Sequence, residues 1–428
     1  MRSKTYQINN PPEFKDKILH WANQFDTVCF LNNNNFNSNL NTYKALVGIG
    51  KVSELKLEST KGAFDSLKKY CQNNSQWLFG FLSYDLKNDV ENLQTNNEDQ
   101  VAMPELHFFS PEVVLELKHE GLTIHSHHEE SDKIFDAICN YNSLPIENFD
   151  QNLSIKQRIS KQDYCNKVKH IKDHIAKGDI YELNFCQEFY SEQATIDPLK
   201  TYTDLNRLSP MPFSSYYKLD DKYLICASPE RFIKKTGTRL ISQPIKGTIS
   251  RGKTDDEEQI KKEFLRTSAK EKAENVMIVD LVRNDLSRSS KKGSVKVDEL
   301  YGIYTFNQLH QMISTVSSEL KDDVHFVDAI KRAFPMGSMT GAPKIRAMEL
   351  IEKYEETKRG LFSGAVGYIS PDKDLDFNVV IRSILYNQST KYLSYQVGSA
   401  ITANSEIESE YEECLLKAEA INKVLNKL

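Results

Sequence analysis

Apolar and polar positions follow two periods along this chain, and they predict where strands and helices lie. Runs of aromatic and β-branched residues bounded by turn residues predict strands, whereas longer stretches with apolar residues three or four apart predict helices. The predicted strands are 77–84, 113–117, 179–189, 223–227, 240–244, 364–370, 378–385 and 392–397. The predicted helices are 161–177, 255–286, 324–333, 344–353 and 406–426. Strands therefore dominate the first third, and helices become frequent from about residue 155.

The amino-acid composition excludes several classes of protein. The 428 residues are 39% hydrophobic and 27% charged, which supplies a large core and excludes a disordered chain. A net charge of −5 argues against a nucleic-acid partner, because such binding relies on positive charge. Residues 1–18 carry charges throughout, and the chain has no long uncharged apolar stretch. These features predict a cytoplasmic protein with no membrane partner.

Two pairs of glutamates have the spacing of one helix face. Glu271 and Glu274 lie three residues apart in a strongly helical segment. Glu410 and Glu413 repeat that spacing near the C-terminus, with Lys417 on the same face. Such pairs offer hard oxygen ligands for Mg²⁺ and leave room for an anionic ligand. The alternative is a salt-bridged helix surface, which spacing alone favours.

Two glycine-containing segments could present backbone N–H groups to a ligand. Gly337-Ser-Met-Thr-Gly-Ala-Pro-Lys344 is a loop that leads into a helix, with Pro343 suited to the first turn. It is not a Walker phosphate loop, because lysine does not directly follow the second glycine. Gly398 lies at the end of a predicted strand, where a ligand can approach the backbone closely. A tight loop with a structural role is the alternative.

Glu230 and Lys246 follow predicted strands, a common position for catalytic side chains. Lys246 lies between Pro-Ile and Gly-Thr, which hold it on a stiff backbone. A lysine with an ordinary pKa of about 10.4 becomes a nucleophile only where burial or neighbouring groups favour the neutral amine. The alternative is a surface lysine in a turn.

Five segments in this order resemble the chorismate-utilising enzymes of the anthranilate synthase component I type. They are Ser228-Pro-Glu-Arg-Phe232, Gln243-Pro-Ile-Lys-Gly-Thr-Ile-Ser-Arg-Gly252, Ala273-Glu-Asn-Val-Met-Ile-Val-Asp-Leu-Val-Arg-Asn-Asp-Leu286, Gly341-Ala-Pro-Lys344 and Glu410-Tyr-Glu-Glu413. The resemblance implies an α+β fold, a sandwich of large antiparallel sheets and helices. It places a chorismate-binding catalytic domain at 155–428, after a sheet-rich N-terminal region at 1–150.

The resemblance also implies roles for the candidate residues. Glu274 and Glu413 would hold Mg²⁺ directly, with Glu271 and Glu410 as supporting carboxylates. Glu230 and Lys246 would be the catalytic acid and nucleophile. The implied substrate-binding residues are Ser338, Thr340, Gly341, Arg382, Gly398 and Lys417. Arg382 and Lys417 among them match positions that hold carboxylates.

The lysine at position 246 separates branches of the family. It resembles the aminodeoxychorismate synthases (component I), whereas anthranilate synthases carry alanine there. The implied reaction attaches Lys246 to C2 of chorismate while Glu230 protonates the departing C4 hydroxyl, and ammonia then adds at C4. The product is 4-amino-4-deoxychorismate, for p-aminobenzoate and folate synthesis, with ammonia from a separate glutamine amidotransferase subunit. The alternatives are anthranilate synthase component I and a non-catalytic chorismate-binding paralogue.

Four positions depart from the family pattern. Gln311 replaces a histidine, with His310 one residue earlier, which argues against pyruvate elimination and thus against anthranilate formation. Glu182 lies where relatives that use water have lysine and relatives that use ammonia usually have glutamine. The other two are Phe362 in place of a tyrosine and Ala400 in place of a glycine.

Overall fold

Two antiparallel sheets face each other in the computed structural model, and helices cover their outer sides. The structure describes residues 1–8, 11–36, 40, 42–119, 121–127, 130–141, 153–307 and 309–426. The first sheet contains, in spatial order, β1 (Arg2–Tyr6), β8 (Gly121–Ser126), β7 (Val113–Lys118), β3 (Ala45–Ile49), β2 (Thr27–Asn32), β11 (Phe213–Leu219), β12 (Lys222–Ser228), β21 (Ser383–Asn387), β22 (Tyr392–Thr402), β10 (Glu182–Ser191) and β18 (Gly341–Ala342), with β9 (Lys156–Gln157) beside β10. The second sheet contains β15 (Ile245–Ser250), β17 (Leu309–Glu319), β14 (Arg239–Gln243), β13 (Arg231–Thr236), β20 (Leu375–Val379), β19 (Ala365–Ile369), β5 (Leu78–Leu82), β6 (Leu106–Ser110) and β4 (Ser53–Leu57), with β16 (Lys296–Thr305) beside β17. The helices are α1 (Pro11–Ala22), α2 (Ala63–Asn73), α3 (Lys87–Val90), α4 (Ser131–Cys139), α5 (Lys161–Ala176), α6 (Pro198–Leu208), α7 (Asp255–Thr267), α8 (Ala269–Ser287), α9 (Phe326–Ala333), α10 (Lys344–Tyr354) and α11 (Ile407–Leu425).

Many strands inside the sheets are rich in apolar residues because both of their faces are buried, as in β3, β5 and β19. In β5, Phe79 and Phe81 point into the layer between the sheets, and Leu78 and Leu82 point to the helices outside. The outer side of the first sheet packs in the same way against α5, α6 and α11. The result is a helix–sheet–sheet–helix stack, which confirms the predicted α+β fold of antiparallel sheets.

Strands from the first 150 residues pair with strands from the rest of the chain in both sheets. Phe30 of β2 lies opposite Tyr216 of β11, and Gly80 of β5 lies opposite Gly367 of β19. The boundary predicted between the two parts falls at residues 142–152, which lie outside the described residues. The division into 1–150 and 155–428 therefore remains a prediction. Within the described ranges, no helix is long and apolar enough to cross a membrane.

Two predicted elements are divided in the structure. The helix expected over 255–286 is interrupted at Ser268, whose side chain caps α8 by accepting a hydrogen bond from the Glu271 N–H. The strand expected over 378–385 becomes the end of β20 and the start of β21, which belong to different sheets. Arg382 lies at that crossing with φ 51°, in the left-handed region that no strand contains.

Candidate active site

The edges of the two sheets meet at a group of charged side chains. β15, at one end of the second sheet, carries Lys246, and β10, next to the end of the first sheet, carries Glu182. Lys246 Nζ lies 2.5 Å from Glu182 Oε1, so this ion pair joins the sheets. Helices α8 and α11 bring Glu274 and Glu413 near enough for the charge of Lys246 to act on both carboxylates. The structure thus brings the predicted nucleophile and the predicted metal ligands into one place.

The pair of Lys246 and Glu182 is almost closed to solvent, with side chains that are 10% and 1% exposed. Burial disfavours the ammonium group, but the charges of Glu182, Glu274 and Glu230 outweigh it and raise the pKa of Lys246. Glu182 Oε2 is buried and has no hydrogen-bond partner among the residues that the structure describes. Lys246 is therefore a cation here, and it becomes a nucleophile only after it passes a proton to an acceptor such as Glu182.

Gly247 shapes the strand that carries the lysine. Its φ is 92°, and a Cβ on it would lie 2.9 Å from Glu271 Oε2 and 3.2 Å from Leu265 Cδ1. The pairing of β15 with β17 shifts register between Ile245 and Thr248, around the same residue. Glycine is thus required both for the backbone angle and for the close approach of the acidic helix.

Glu230 occupies the turn between β12 and β13 and is 5% exposed. Burial raises its pKa to about 7, against the stabilising effects of Ser338, Lys246 and the Ile245 backbone on the ionised form. The Ser338 hydroxyl is near the carboxylate, but it makes no hydrogen bond of ordinary geometry. A carboxylic acid with this pKa holds its proton near neutral pH, as a general acid requires.

The environment of Glu230 explains its raised pKa. Together with Ser338 it borders a small cavity. Seven apolar residues supply much of the remaining wall, and Arg231, Asp285 and Ser242 also line it; the apolar residues are Phe232, Ile233, Pro244, Val282, Leu286, Ala333 and Met336. An apolar wall cannot solvate a carboxylate, so the protonated form is favoured.

The two predicted acid pairs, on α8 and α11, are near enough to influence each other electrostatically. The charges of Glu413 and Glu410 both act on Glu271, whose pKa is raised mainly by burial. Burial likewise raises the pKa of Glu274 to about 7, and Glu274 Oε1 is buried without a hydrogen-bond partner. In the part of the chain that the structure describes, no three Asp, Glu, His or Cys side chains are close enough to hold a metal ion together. The carboxylates are thus gathered without forming a complete set of ligands, and their role as metal ligands remains a prediction.

Two lysines supply positive charge to this acidic group. Lys417 Nζ lies 2.8 Å from Glu413 Oε1 and donates a hydrogen bond of 2.9 Å to the carbonyl of Gly398. The Lys417 charge is the main reason that the pKa of Glu413 is lowered. Lys270 Nζ lies 4.0 Å from Glu274 Oε1 on the other helix. Lys417 was predicted from the sequence as a substrate contact, whereas Lys270 was not predicted at all.

The glycine loop is built onto β10. The Asn184 N–H donates to the Thr340 carbonyl at 2.8 Å, and the Thr340 hydroxyl donates to the Met336 carbonyl at 3.1 Å. Gly341 has φ 151°, and a Cβ there would lie 2.1 Å from the Glu182 carbonyl oxygen. The loop therefore has no space for a side chain at 341. The hydroxyl of Thr340 is used inside the loop, while that of Ser338 is buried without a partner.

Gly398 lies on β22 directly opposite Cys186 of β10. A Cβ at position 398 would lie 2.4 Å from Cys186 Sγ and 2.6 Å from the Phe185 carbonyl oxygen. No side chain fits there. The carbonyl of Gly398 instead anchors Lys417, which connects this strand to the acidic helix α11.

Lys344 is a structural residue and not a free anion ligand. Its Nζ donates to Asp285 Oδ2 at 2.6 Å and to the Pro335 carbonyl at 2.9 Å, which ties α10 to α8. Arg359, which no sequence motif indicated, is buried and donates to the carbonyls of Met339 at 2.6 Å and Asn184 at 2.9 Å. It therefore holds the glycine loop against β10.

Arg382 has the features of an anion-binding group. Among the described residues its guanidinium has no hydrogen-bond or ion-pair partner, and burial lowers its pKa to about 10. Only its backbone is engaged, since its carbonyl accepts a hydrogen bond of 3.1 Å from the Ala227 N–H. An arginine without a counterion favours a carboxylate, to which its planar fork can donate two hydrogen bonds.

Gln311 and His310 are adjacent on β17, so their side chains lie on opposite faces of the sheet. Gln311 lies opposite Thr248 of β15, and its Oε1 is buried without a partner. His310 turns away, with Nδ1 3.0 Å from the Thr305 hydroxyl and Nε2 3.1 Å from Glu258 Oε2. The histidine therefore does not take the place of Gln311.

Comparisons with known proteins point to one family. Residues 30–423 match the profile of the chorismate binding enzymes. Aminodeoxychorismate synthase component 1 of Bacillus subtilis (strain 168) is 33% identical over 371 residues, which cover 81% of this chain and 76% of that protein. Anthranilate synthase component 1 of Acetivibrio thermocellus is 33% identical over 376 residues, which cover 81% of this chain and 74% of that protein. The solved structure of anthranilate synthase component I from Streptococcus pneumoniae TIGR4 has a TM-score of 0.77 and 26% identity, covering 91% of this chain and 93% of that one.

Proposed function

Because the chain belongs to the chorismate binding enzymes, we propose that it catalyses the reaction for which its relatives are named, that of aminodeoxychorismate synthase component 1. It would convert chorismate and ammonia to 4-amino-4-deoxychorismate. The observation that carries this assignment is Lys246, a buried lysine on the edge of β15 that is surrounded by Glu182, Glu230 and Glu274.

Glu230 is the proton donor in this proposal. Hydroxide is a poor leaving group, so the C4 hydroxyl of chorismate must receive a proton as its bond to carbon breaks. With a pKa of about 7, Glu230 is protonated in about half of the molecules at neutral pH, whereas an ordinary glutamate is almost fully ionised there. The neutral acid becomes a carboxylate as water leaves.

Lys246 is the nucleophile in the same step. Glu182 Oε1, 2.5 Å from Nζ, accepts the proton of the ammonium group and leaves a neutral amine. The amine attacks C2 as the C4–O bond breaks. Ammonia then adds at C4 and expels Lys246 as an amine. The new C4 ammonium returns a proton to Glu230, and Glu182 returns its proton to Lys246. The net reaction is chorismate plus ammonia giving the amine and water.

The acid pairs fit Mg²⁺ as the cofactor. Glu274 Oε1 is a buried carboxylate oxygen with no hydrogen-bond partner among the described residues, and a hard cation would satisfy it. Glu274 and Glu413 would hold the ion, and Glu271 and Glu410 would support them. When bound, Mg²⁺ would neutralise and orient a carboxylate of the substrate.

The remaining predicted residues would position chorismate. Arg382 has a guanidinium without a counterion, and Lys417 stands beside the acid pair, so both suit the substrate's carboxylates. Ser338 offers a buried hydroxyl without a partner. Gly341, Gly398 and Thr340 would contribute backbone atoms, since neither glycine has space for a side chain and the threonine hydroxyl is already bonded.

A second subunit would supply the ammonia. The Bacillus subtilis relative is named component 1, which implies another component for that enzyme. We extend this to the present chain and propose a separate glutamine amidotransferase subunit as its partner.

The assignment is tested by incubating the purified chain with chorismate, Mg²⁺ and an ammonium salt, and identifying products by mass spectrometry. We expect 4-amino-4-deoxychorismate, which yields p-aminobenzoate only when an aminodeoxychorismate lyase is added. Fluorescent anthranilate formed without the lyase would instead establish the second candidate, anthranilate synthase component I, which the Acetivibrio thermocellus relative keeps open. Unchanged chorismate, also in the presence of an amidotransferase subunit, would leave a non-catalytic chorismate-binding paralogue.

A further inference from the structure

Lys270 is the first basic residue of α8 and pairs with Glu274, within electrostatic range of the other three predicted metal-binding carboxylates. Its Nζ is 4.0 Å from Glu274 Oε1. The charges of Glu410, Glu271 and Glu413 act on the same ammonium group. One lysine thus interacts with acidic residues on two helices that would otherwise repel each other.

The Lys270 side chain is held weakly and can move away from the carboxylates. Lys270 is 48% exposed, whereas its partner Glu274 is 13% exposed. No hydrogen bond of Lys270 to a described residue accompanies the ion pair at 4.0 Å. Lys417 differs, because a hydrogen bond to the Gly398 carbonyl and a 2.8 Å ion pair hold it in place. Lys270 is therefore the more readily displaced of the two cations.

From this placement we propose that Lys270 is an intramolecular competitor of the divalent metal, neutralising the acid pairs when no metal is bound and moving out when one binds. The proposal rests on the assignment of the acid pairs as a Mg²⁺ site. It deepens that assignment by naming the residue that sets the affinity. A metal ion among these carboxylates would repel the Lys270 ammonium group. The metal and the charged lysine therefore cannot both stay beside the carboxylates without an electrostatic cost.

The competition has two measurable consequences. Removing the charge of Lys270 should tighten metal binding, because the metal no longer displaces a cation. It should also lower the thermal stability of the metal-free chain, because four carboxylates then face each other without Lys270. Added metal should raise the melting temperature more in the variant than in the original chain, since tighter binding stabilises the folded state more.

The test compares Lys270→Met, Lys270→Arg and Lys272→Met with the unmodified full-length chain. Lys272 lies on the same helix, with Nζ 5.5 Å from the centre of the Tyr301 ring, and serves as the matched control. Mg²⁺ affinity is measured by isothermal titration calorimetry and Mn²⁺ affinity by electron paramagnetic resonance, both without substrate. We expect Lys270→Met to bind either ion about fivefold to tenfold more tightly, as one partly exposed charge allows. Lys270→Arg and Lys272→Met should bind as the original chain does.

The outcomes separate this inference from the assignment beneath it. Equal or weaker binding by Lys270→Met overturns the competition, and so does an equal gain in Lys272→Met or in Lys270→Arg. If the original chain and every variant bind neither ion, the metal site itself is wrong and the inference falls with it. The melting temperatures with and without Mg²⁺ show whether each variant is folded.

Discussion

Lys246 and Glu182 form an ion pair of 2.5 Å that joins the edge of one sheet to the edge of the other. The two residues are 64 positions apart in the chain, and both are nearly buried. The pair therefore serves two purposes, since it closes the sandwich at the site and holds the amine beside a proton acceptor.

Replacing Lys246 by alanine should abolish amination and also weaken the fold. Product formation should fall on the order of 10³-fold or more, because the nucleophile is lost. Unfolding by urea should show a loss of about 3 kcal/mol, since Glu182 remains as an unpaired buried charge.

The double variant Lys246→Ala with Glu182→Gln separates these effects. It should regain most of the stability because the buried charge is gone, and it should remain inactive. Amination by either variant at the original rate would contradict a nucleophilic role for Lys246.

Replacing Glu230 by glutamine should alter both activity and the pH dependence of stability. Turnover should fall about 10²- to 10⁴-fold, because the amide cannot donate the required proton. A carboxyl whose pKa is raised from its ordinary value to about 7 binds its proton more tightly in the folded chain. The contribution of Glu230 to the free energy of unfolding is thus greatest at acidic pH and declines as the pH rises towards 7.

Glu230→Gln should remove that decline. At neutral pH the variant should be more stable than the original chain by about 2 to 3 kcal/mol, and at acidic pH the difference should vanish. Denaturant titrations of both proteins at a series of pH values give the comparison. A constant difference at every pH would show that Glu230 is not a raised-pKa acid.

Replacing Glu274 by glutamine should weaken divalent metal binding by about 10- to 100-fold. The amide keeps the size of the side chain but removes the charge that a hard cation requires. Glu412→Gln is the matched control, because Glu412 lies on α11 beside Glu413 but pairs with Lys161 at 3.0 Å. Calorimetric titration with Mg²⁺ measures the affinity of both variants. An equal loss of affinity in Glu412→Gln would show that the metal responds to general surface charge and not to Glu274.

Replacing Gly398 by alanine should destabilise the chain by about 1 to 3 kcal/mol, as overpacking does. The added Cβ would lie 2.4 Å from Cys186 Sγ, so β22 and β10 must separate locally. We expect a lower melting temperature and reduced amination, because Lys417 is anchored on the Gly398 carbonyl. Gly237→Ala is the comparison, since nothing lies within 4 Å of its Cβ position and only its φ of 59° opposes the change. That variant should keep full activity.

Local sequence signals predicted most helices and strands, but not the breaks within the helix expected over 255–286 and the strand expected over 378–385. The break before α8 could have been predicted, because Ser268 followed by Glu271 is a capping-box pattern. The break between β20 and β21 could not, because apolar residues continue on either side of Arg382 and Ser383, with Val380 and Ile381 before them and Ile384 and Leu385 after them. A run that is buried in two different sheets has the same pattern as a run buried in one.

The sequence by itself determined the pairing of carboxylates within each helix, because residues three apart on an α-helix share a face whatever the rest of the chain does. It also carried the ordered motifs that identify the family. Only the tertiary structure decided that the carboxylates of the two helices act on one another and on Lys270, and that Glu182 meets Lys246. These contacts join distant segments through the packing of two sheets, and no local period records which sheet edges meet. For that reason the chemistry of single residues was predicted, whereas the counterions that control it were not.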